Sequence, residues 1–419
     1  MKKASLIIAA TALGTTLAAP QALAGGFALR EQSASSQGAS FAGAAAPGES
    51  PSAMFWNPAA ITTTNGFVIE SNGTIILPKS ELSVDAARSP LSAFGFGNGG
   101  DVGIDAFVPS FYSSYQIDEQ LYLGLSVNAP FGLGTHTEGP WVGQTDHDRA
   151  KVRTTAITPT LGYKVNDMLS LGVGLTAQYF KVDLSRSPVI APPATFARAE
   201  LEGDDWGFGA TAGLTLIPFE GTEIGLGYRS PISYTLEGTQ KLKTTGGATL
   251  SNLPIEAEAT LPETVTLGVR QRVDDAFTLL AGVEWTNWSR LGTVPVTTTG
   301  GGTVSELVFE YGDGWFLSLG GEYAWNDDLT LRAGVAYEWS PVKDAHRSMR
   351  LPDNDRIWLS AGATWTFNDK ISLDFAYTHI FVNDADLEVA TDLTNGVIGY
   401  AGTAEGSIDI ISAALRVKL

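Results

Sequence analysis

The sequence predicts an all-β fold, a closed antiparallel barrel of fourteen strands that spans a membrane, and three observations support this prediction. Apolar and polar residues alternate along many segments, short turns recur between longer loop-like stretches, and only 17% of the 419 residues are charged, against about 25% in an ordinary soluble domain. The mean hydropathy of +0.06 is too high for a disordered chain, and no run of about 18 apolar residues follows the N-terminal segment. The chain therefore folds, but not as a membrane protein built from helices.

The charge and cysteine content exclude several classes of function. The formal net charge is -19, with 26 Lys and Arg against 45 Asp and Glu. Nucleic-acid binding depends on neutralising phosphates, so this balance argues against it. The absence of cysteine removes disulfides, thiolate metal sites and a cysteine nucleophile together.

The N-terminal segment has the pattern of an export signal. Two lysines precede an apolar stretch, residues 4–19, and Ala22-Leu23-Ala24 supplies the small residues that a signal peptidase accepts before Gly25. The alternative is an anchor helix, but the apolar stretch is short for a bilayer and ends at Pro20. We therefore predict that residues 1–24 are a signal peptide and that the chain is exported.

The alternation begins near residue 66 and has the period of β-strands. Between Leu169 and Tyr179, every second residue is Leu, Val, Ala or Tyr, and the intervening residues are Ser, Gly, Thr or Gln. An amphipathic helix would need spacings of three and four instead. The same pattern recurs at residues 277–286 and 330–339.

Short turns divide these strands into hairpins. Dipeptides that contain Asp, Asn, Glu or Gly suit tight turns. The six predicted turns lie at Asp118-Glu119, Asn166-Asp167, Glu220-Gly221, Asp274-Asp275, Asn326-Asp327 and Asn368-Asp369. Six hairpins give twelve strands, and a first strand at about 66–77 and a last strand at about 407–419 give fourteen. Seven longer stretches separate them, at about 78–104, 129–150, 183–204, 232–260, 289–313, 340–355 and 380–406.

An even number of strands, short turns at one end, long loops at the other and an exported chain together indicate a bacterial outer-membrane barrel. A soluble sandwich or a propeller is the alternative. A propeller repeats four strands in each blade, whereas this chain repeats two strands in about 50 residues. A sheet that faces lipid must close, because each unpaired backbone group in hydrocarbon costs several kcal/mol.

Residues 25–65 do not alternate and are rich in Gly, Ala and Ser. We predict that they form a small α-helical hatch that plugs a barrel of residues 66–419. A barrel of fourteen strands is wider than the eight-stranded case that side chains can fill, so it would otherwise be an open channel. A periplasmic tail is the alternative.

Several ordered motifs resemble the FadL family of outer-membrane transporters of hydrophobic compounds, including its toluene-porin-like members. The resemblance covers essentially the whole chain after residue 24. Its motifs are Gly26-Phe-Ala-Leu-Arg-Glu-Gln-Ser-Ala-Ser-Ser-Gln-Gly38, Asn57-Pro58-Ala59, Asp205-Trp-Gly-Phe-Gly209, Tyr228-Arg-Ser230, Leu261-Pro-Glu263, Trp285-Thr-Asn-Trp-Ser289, Ser340-Pro-Val342, Leu351-Pro-Asp-Asn-Asp-Arg356 and Trp358-Leu-Ser-Ala-Gly362.

The resemblance implies passive uptake of hydrophobic molecules such as long-chain fatty acids. Extracellular loops capture the molecule, a lumenal pocket near the new N-terminus binds it, and a kink in the third strand releases it sideways into the membrane. It places Asn57, Pro58 and Ala59 within the hatch, Phe27 against bound ligand and Arg186 at the ligand head group. The second cationic position of the fatty-acid transporter falls at Gly312, so a channel for non-ionic aromatic or aliphatic hydrocarbons is the alternative.

The third predicted strand is interrupted where the resemblance expects the kink. It runs to about Val127 and is followed by Asn128-Ala129-Pro130-Phe131-Gly132-Leu133-Gly134. Proline cannot donate to a strand ladder and glycine permits bends, so pairing should lapse here. We predict a lateral gate at Asn128, Pro130, Phe131, Gly132 and Gly134. The alternative is the start of the long loop.

Other functions are less well supported by the sequence. The four histidines, His136, His147, His346 and His379, lie in or beside different predicted loops without a motif around a serine, which argues against a hydrolase. We expect no enzyme activity, no cofactor and no metal, and an adhesin is disfavoured by the hatch-like segment. The predicted protein is a monomer in the bacterial outer membrane. Its partners are lipid, lipopolysaccharide and a hydrophobic small molecule, and no nucleic acid.

Overall fold

The computed structural model describes residues 25–191 and 195–419, so the predicted signal peptide, residues 1–24, lies outside the described residues. Fourteen barrel strands can be followed through these ranges, and five of them are interrupted near their long-loop ends or midpoints. They are β1 Phe67–Val84, β2 Ala106–Gln116, β3 Leu121–Asn128 and Gly132–His136, β4 Arg149–Lys164, β5 Leu169–Arg186, β6 Thr195–Phe219, β7 Thr222–Arg229 and Ile232–Thr244, β8 Thr249–Leu261 and Thr264–Arg272, β9 Phe277–Thr286 and Thr293–Thr298, β10 Thr303–Val308 and Gly314–Asn326, β11 Leu329–Trp339, β12 Arg356–Asn368, β13 Ile371–Val389 and β14 Tyr400–Lys418.

The strands form one closed antiparallel barrel, as the sequence predicts. Each strand pairs with its neighbour in the chain, and β1 pairs with β14 from Val68↔Lys418 to Val84↔Gly402. Closure leaves no strand at a free edge of the sheet, as a wall surrounded by lipid requires, although the ladder between β2 and β3 is incomplete. A short additional strand, Val189–Ala191, pairs with the start of β6.

The short turns all lie where the sequence places them, and an Asx side chain builds five of the six. In the turn before β3, Asp118 Oδ1 accepts hydrogen bonds of 2.8 Å from the backbone N–H groups of Gln120 and Leu121. Asn166, Asp274, Asn326 and Asn368 accept equivalent pairs of bonds. The remaining turn instead uses Gly221, whose φ of +86° is accessible to glycine at little cost.

The barrel wall is apolar outside and polar inside. On β5, the side chains of Leu171, Val173 and Leu175 are 45%, 55% and 71% exposed, whereas Ser170 and Thr176 are buried. This arrangement is the reverse of a soluble sandwich, which hides its apolar face. The outward apolar face therefore suits lipid.

The strands extend further than the alternation predicts. β1 continues from the expected end near residue 77 to Val84, and the predicted loop at residues 183–204 is largely the continuation of β5 and β6. Beyond the apolar band both faces of a strand meet water or other loops, so the alternation is lost while the hydrogen-bonded ladder persists. The long loops are thus shorter than the sequence suggests.

The hatch segment, residues 25–65, lies inside the barrel. Its regular structure is short: the one-turn helix α1, Ala34–Gln37, and two 3₁₀ helices, Pro51–Phe55 and Pro58–Thr63. No helix of the described ranges is long and apolar enough to cross a bilayer. The segment packs through its backbone and small side chains and also through buried large side chains such as Phe41, Trp56 and Ile61. Its role as a plug stays a prediction.

Inward-facing glycines of the wall receive the hatch segment. A Cβ atom at Gly162 would lie 2.8 Å from Ile61, and one at Gly320 would lie 2.9 Å from the carbonyl oxygen of Ala39. Ten consecutive strands, β3 to β12, contribute at least one such residue. We name this set the glycine belt: Gly124, Gly162, Gly172, Gly213, Gly225, Gly227, Gly268, Gly282, Gly320, Gly334 and Gly362. At nine of these eleven positions a Cβ would come within 3.0 Å of a hatch atom, so a larger residue there would push the hatch segment away from the wall.

Candidate functional site

An apolar cavity, here called the upper cavity, lies between the hatch segment and the long loops. It encloses about 1020 Å³ with its open mouth included, within the range that binds small molecules. Aliphatic side chains of β5 to β10 form most of its wall, among them Val182, Leu201, Leu236, Ile255, Val296 and Leu307. This lining can bind an apolar chain but offers it few hydrogen bonds.

Phe27 lines the upper cavity, and its contact with a ligand stays a prediction. Its ring centroid is 4.7 Å from that of Trp288 and 6.0 Å from that of Phe131, both in edge-on geometry. The preceding residue, Gly26, has a φ of +63°, and a Cβ there would lie 2.8 Å from the Trp288 ring. Glycine at this position therefore allows the indole to reach Phe27.

Asp353 anchors the N-terminal end of the hatch segment to the loop before β12. Its Oδ2 accepts hydrogen bonds from the Gly26 backbone N–H at 3.0 Å and from the Ser340 hydroxyl at 2.6 Å. Arg356 Nε donates to Oδ1 at 2.9 Å. Burial raises the pKa of the Asp353 carboxyl above its ordinary value, although the adjacent Arg356 opposes this shift. The position of Phe27 thus depends on a buried carboxyl outside the strands.

The predicted gate residues lie at an interruption of β3. The β2–β3 ladder ends at Phe111↔Val127, and β3 pairs with β4 again from Gly132↔Arg153. Between these points, Thr154 Oγ1 accepts from the Phe131 N–H at 2.9 Å and donates to the Phe131 carbonyl at 2.7 Å. A side chain therefore replaces part of the ladder on the β4 side.

On its other side, β3 turns towards the hatch segment instead of β2. The backbone N–H of Leu29 donates to the Pro130 carbonyl at 2.8 Å, and that of Gly132 donates to the Phe27 carbonyl at 2.8 Å. Within the described ranges, residues 106–110 of β2 pair only with β1, and contact between β2 and β3 resumes at the Gly103↔Thr135 bridge.

We call the stretch between Phe111↔Val127 and Gly103↔Thr135, where β2 and β3 are not paired, the β2–β3 gap. The other predicted gate residues, Asn128 and Gly134, lie buried at its two ends. That these residues act as a gate stays a prediction.

The Asn57-Pro58-Ala59 motif joins the hatch segment to the wall. Asn57 Nδ2 donates to the carbonyls of Ala45 and Leu214, at 2.8 and 3.0 Å, and its Oδ1 caps the 3₁₀ helix by accepting from the Ala59 N–H at 3.0 Å. Pro58 occupies the first helical position, where no N–H is needed. A Cβ on Gly172 or Gly213 of the belt would overlap this motif.

Arg186 lies at the long-loop end of β5 and is not among the residues that line the upper cavity. Its Nη1 donates to the carbonyls of Thr145 and Asn395, at 3.2 and 2.9 Å. The structure therefore brings Phe27 and the β2–β3 gap together but does not bring Arg186 to them. Gly312 lies elsewhere, its N–H bonded to the Pro341 carbonyl at 2.8 Å.

A different arginine lines the upper cavity. Arg350 comes from the loop between β11 and β12, together with Ser348 and His346. Its Nη2 lies 3.3 Å from the Asp146 carboxylate and donates to the Asp146 carbonyl at 3.1 Å. The sequence contains no local signal for this residue, because its place in the cavity depends on how a long loop folds back.

A buried ion pair joins the hatch segment to the wall, and sequence reasoning did not single it out. Arg30 is paired with Glu284 of β9 at 2.8 Å and with Glu338 of β11. Its guanidinium also lies 4.2 Å from the Phe316 ring centroid. The visible signal for this ion pair in the sequence is a charged residue, Arg30, among the apolar and small residues at the start of the hatch segment.

Comparison with known proteins agrees with this architecture. Residues 15–418 match the family model described as outer membrane protein transport protein (OMPP1/FadL/TodX). The chain is 26% identical over 414 residues to the long-chain fatty acid transport protein of Escherichia coli K12, covering 88% of this chain and 91% of that protein.

Two solved structures share the fold. A Pseudomonas aeruginosa FadL homologue superimposes with a TM-score of 0.87 at 24% identity, covering 94% of this chain and 100% of that chain. The toluene transporter TodX of P. putida superimposes with a TM-score of 0.71 at 16% identity, covering 92% and 97%. With a family model matched over almost its whole length, this chain belongs to the OMPP1/FadL/TodX family of outer-membrane transport proteins.

Proposed function

We propose that the protein is a passive channel for hydrophobic molecules, which the long loops capture, the upper cavity binds beside Phe27, and the β2–β3 gap releases sideways into the outer membrane. One observation carries this proposal. Phe27 lines the upper cavity and its backbone carbonyl bonds to Gly132, so the cavity floor and the edge of the gap share residues. A bound molecule therefore has a short route from the cavity to lipid.

The physical chemistry of the cargo favours sideways release. Moving an apolar chain from a cavity into water costs about 0.8 kcal/mol for each methylene group, whereas moving it into lipid does not. Release into the bilayer therefore needs no energy source. The chain is proposed to act as a monomer in contact with lipid and lipopolysaccharide, with transport and not catalysis as its function.

A long-chain fatty acid or a similar amphiphile is the proposed substrate. The relative from E. coli is a fatty acid transport protein, and Arg350 at the cavity wall supports the binding of a carboxylate, which needs a charged partner in an apolar site. Arg186 bonds to Thr145, next to the Asp146 partner of Arg350. We propose that Arg186 positions the head-group site by holding this loop.

A channel for non-ionic hydrocarbons is the second candidate. The toluene transporter shares the fold, and the wall of the upper cavity is mainly aliphatic. Such a cargo would make no use of Arg350. Equal affinity of the wild type and an Arg350→Gln variant for a labelled fatty acid would favour this candidate, while a loss restricted to the acid would favour the first.

Filling the β2–β3 gap tests the route. In a variant with Pro130, Gly132 and Gly134 each replaced by Val, β3 should pair continuously, and we expect uptake of labelled fatty acid to fall at least tenfold while detergent-solubilised protein still binds it. The matched control replaces by Val three loop glycines, Gly246, Gly300 and Gly302, where a Cβ would meet only ordinary contacts of 3.6–3.8 Å with a threonine hydroxyl. Wild-type uptake by a correctly folded, gap-filled barrel would refute lateral release.

A further inference from the structure

A second cavity, here called the lower cavity, lies below the Phe27–Phe131 contact. It encloses about 470 Å³ with its open part included. Leu29, Pro130 and Phe131 form one side, next to the β2–β3 gap, while Arg229, Thr264 and Thr286 form the side towards β7, β8 and β9. The cavity is therefore apolar towards the gap and polar on the opposite wall.

Arg229 carries an unused hydrogen-bond donor at this cavity. Its Nη2 donates to the Phe55 carbonyl at 2.7 Å, and the guanidinium carbon lies 4.4 Å from the Phe55 ring centroid. Its Nη1 is buried and makes no hydrogen bond to any residue that the structure describes. A buried guanidinium N–H without an acceptor is costly, so this atom needs a partner.

The carboxylate beside Arg229 is already engaged. Glu284 also lines the lower cavity, but it is paired with Arg30 at 2.8 Å and accepts a hydrogen bond from Thr266 at 3.0 Å. Its charge is therefore largely balanced by another arginine. Arg30 lines the cavity too, but it is paired with both Glu284 and Glu338, so Arg229 is the arginine of this lining that has no ion pair among the described residues.

We propose that the lower cavity is a second station for the substrate, where Arg229 Nη1 binds the carboxylate of an anionic amphiphile while the apolar tail lies along Leu29 and Phe131 towards the β2–β3 gap. This inference rests on the proposed function and narrows its substrate to carboxylates with an apolar chain. Hydroxyl groups of Thr264 and Thr286 line the same wall and can solvate the head group. A neutral hydrocarbon would leave the Arg229 donor unpaired.

The position of the lower cavity explains why a second cation is useful. A carboxylate that leaves the upper cavity gives up its charged partner, and in an apolar passage this loss would be a barrier. Arg229 offers a replacement before the tail reaches lipid. The single free donor makes this binding weaker than a bidentate pair, which suits a step from which the molecule must leave.

Uptake of a matched acid and alcohol tests this inference. Cells that express wild type, Arg229→Gln or Arg229→Lys are given a labelled long-chain fatty acid or the primary alcohol of the same chain length. We expect Arg229→Gln to lower uptake of the acid about tenfold and to change uptake of the alcohol less than twofold, with Arg229→Lys restoring most of the acid uptake. Arg272→Gln, an exposed arginine of β8, controls for the net charge.

The outcomes separate this inference from the proposed function. If Arg229→Gln lowers uptake of acid and alcohol equally, Arg229 only holds Phe55 in place, and the second station is refuted. If its uptake of both compounds equals that of wild type, water suffices as the partner of Nη1 and the station is also refuted. If wild type itself takes up neither compound, the proposed function fails first.

Discussion

A disulfide between the hatch segment and the wall would test whether transport needs the hatch to move. Ser40 of the hatch segment donates a hydrogen bond of 2.7 Å to the Ser360 hydroxyl of β12, and both side chains are buried. Cysteines at these two positions would be within reach of a disulfide. The chain has no cysteine of its own, so the engineered bond would have no competitor.

The contacts between the hatch segment and the barrel wall indicate how rarely the hatch segment is displaced from the wall. Separating Arg30 from its buried carboxylates costs about 3–5 kcal/mol. Asn57 would lose its two hydrogen bonds to Leu214 and Thr215 of β6, at about 1 kcal/mol each. Together these terms give roughly 5–7 kcal/mol, so on the order of one molecule in ten thousand, or fewer, has a displaced hatch.

The assay is uptake of a labelled fatty acid by cells that express the Ser40→Cys/Ser360→Cys variant, with and without a reductant. Because the displaced state is so rare, we expect the oxidised variant to transport within about twofold of its reduced form. The two single-cysteine variants control for the substitutions, and migration on a non-reducing gel reports the disulfide. A tenfold loss on oxidation that reductant reverses would refute a stationary hatch and, with it, the need for lateral release.

Four further changes follow from the same contacts. Phe27→Ala should lower the affinity for acid and hydrocarbon alike by about 1–2 kcal/mol, roughly tenfold, in equilibrium binding to solubilised protein. Asn57→Ala should loosen the hatch and raise the conductance of the channel in planar bilayers, where the wild type should be almost closed. Gly225→Val should overlap the hatch backbone and speed the swelling of liposomes in sugars, which an unchanged rate would contradict. Arg350→Gln should weaken fatty-acid binding more than Arg186→Ala, and the reverse order would place the head group at Arg186.

The architecture was predictable because the strands and short turns of a barrel wall depend on residues that are close together in the sequence. Alternation fixes which residues face lipid, and one Asx residue builds most of the short turns, so strand number and turn positions follow from neighbouring residues. The extensions beyond the membrane have a different origin. Lys241 and Lys243 of β7 pair with Glu202 and Glu200 of β6, at 2.9 and 2.6 Å. These ion pairs join residues about 40 positions apart, so no short pattern reveals them.

The sequence suggested site residues only through the family resemblance or a motif that fixes the backbone, and their roles stay predictions. Phe27 comes directly after Gly26, where a larger residue would clash with the Trp288 ring. The interruption of β3 is explained by a proline and two glycines. Arg30 and Arg229 are different, because their significance lies in which carboxylates surround them. Arg30 has two such partners on β9 and β11, whereas Arg229 has none within bonding distance among the described residues. Only the assembled barrel distinguishes a paired arginine from an unpaired one.

The glycine belt connects the composition to the route of transport. Many of the 47 glycines suggest turns and bends, yet the belt residues lie within strands, where glycine weakens a sheet. Their cost is offset by close contact with the hatch segment, which residues 38–46 and 54–62 make along ten strands. A hatch segment that had to leave the barrel during transport would have to break all of these close contacts. The belt therefore favours a fixed floor under the cavities, which supports the proposed sideways exit for a molecule that enters from above.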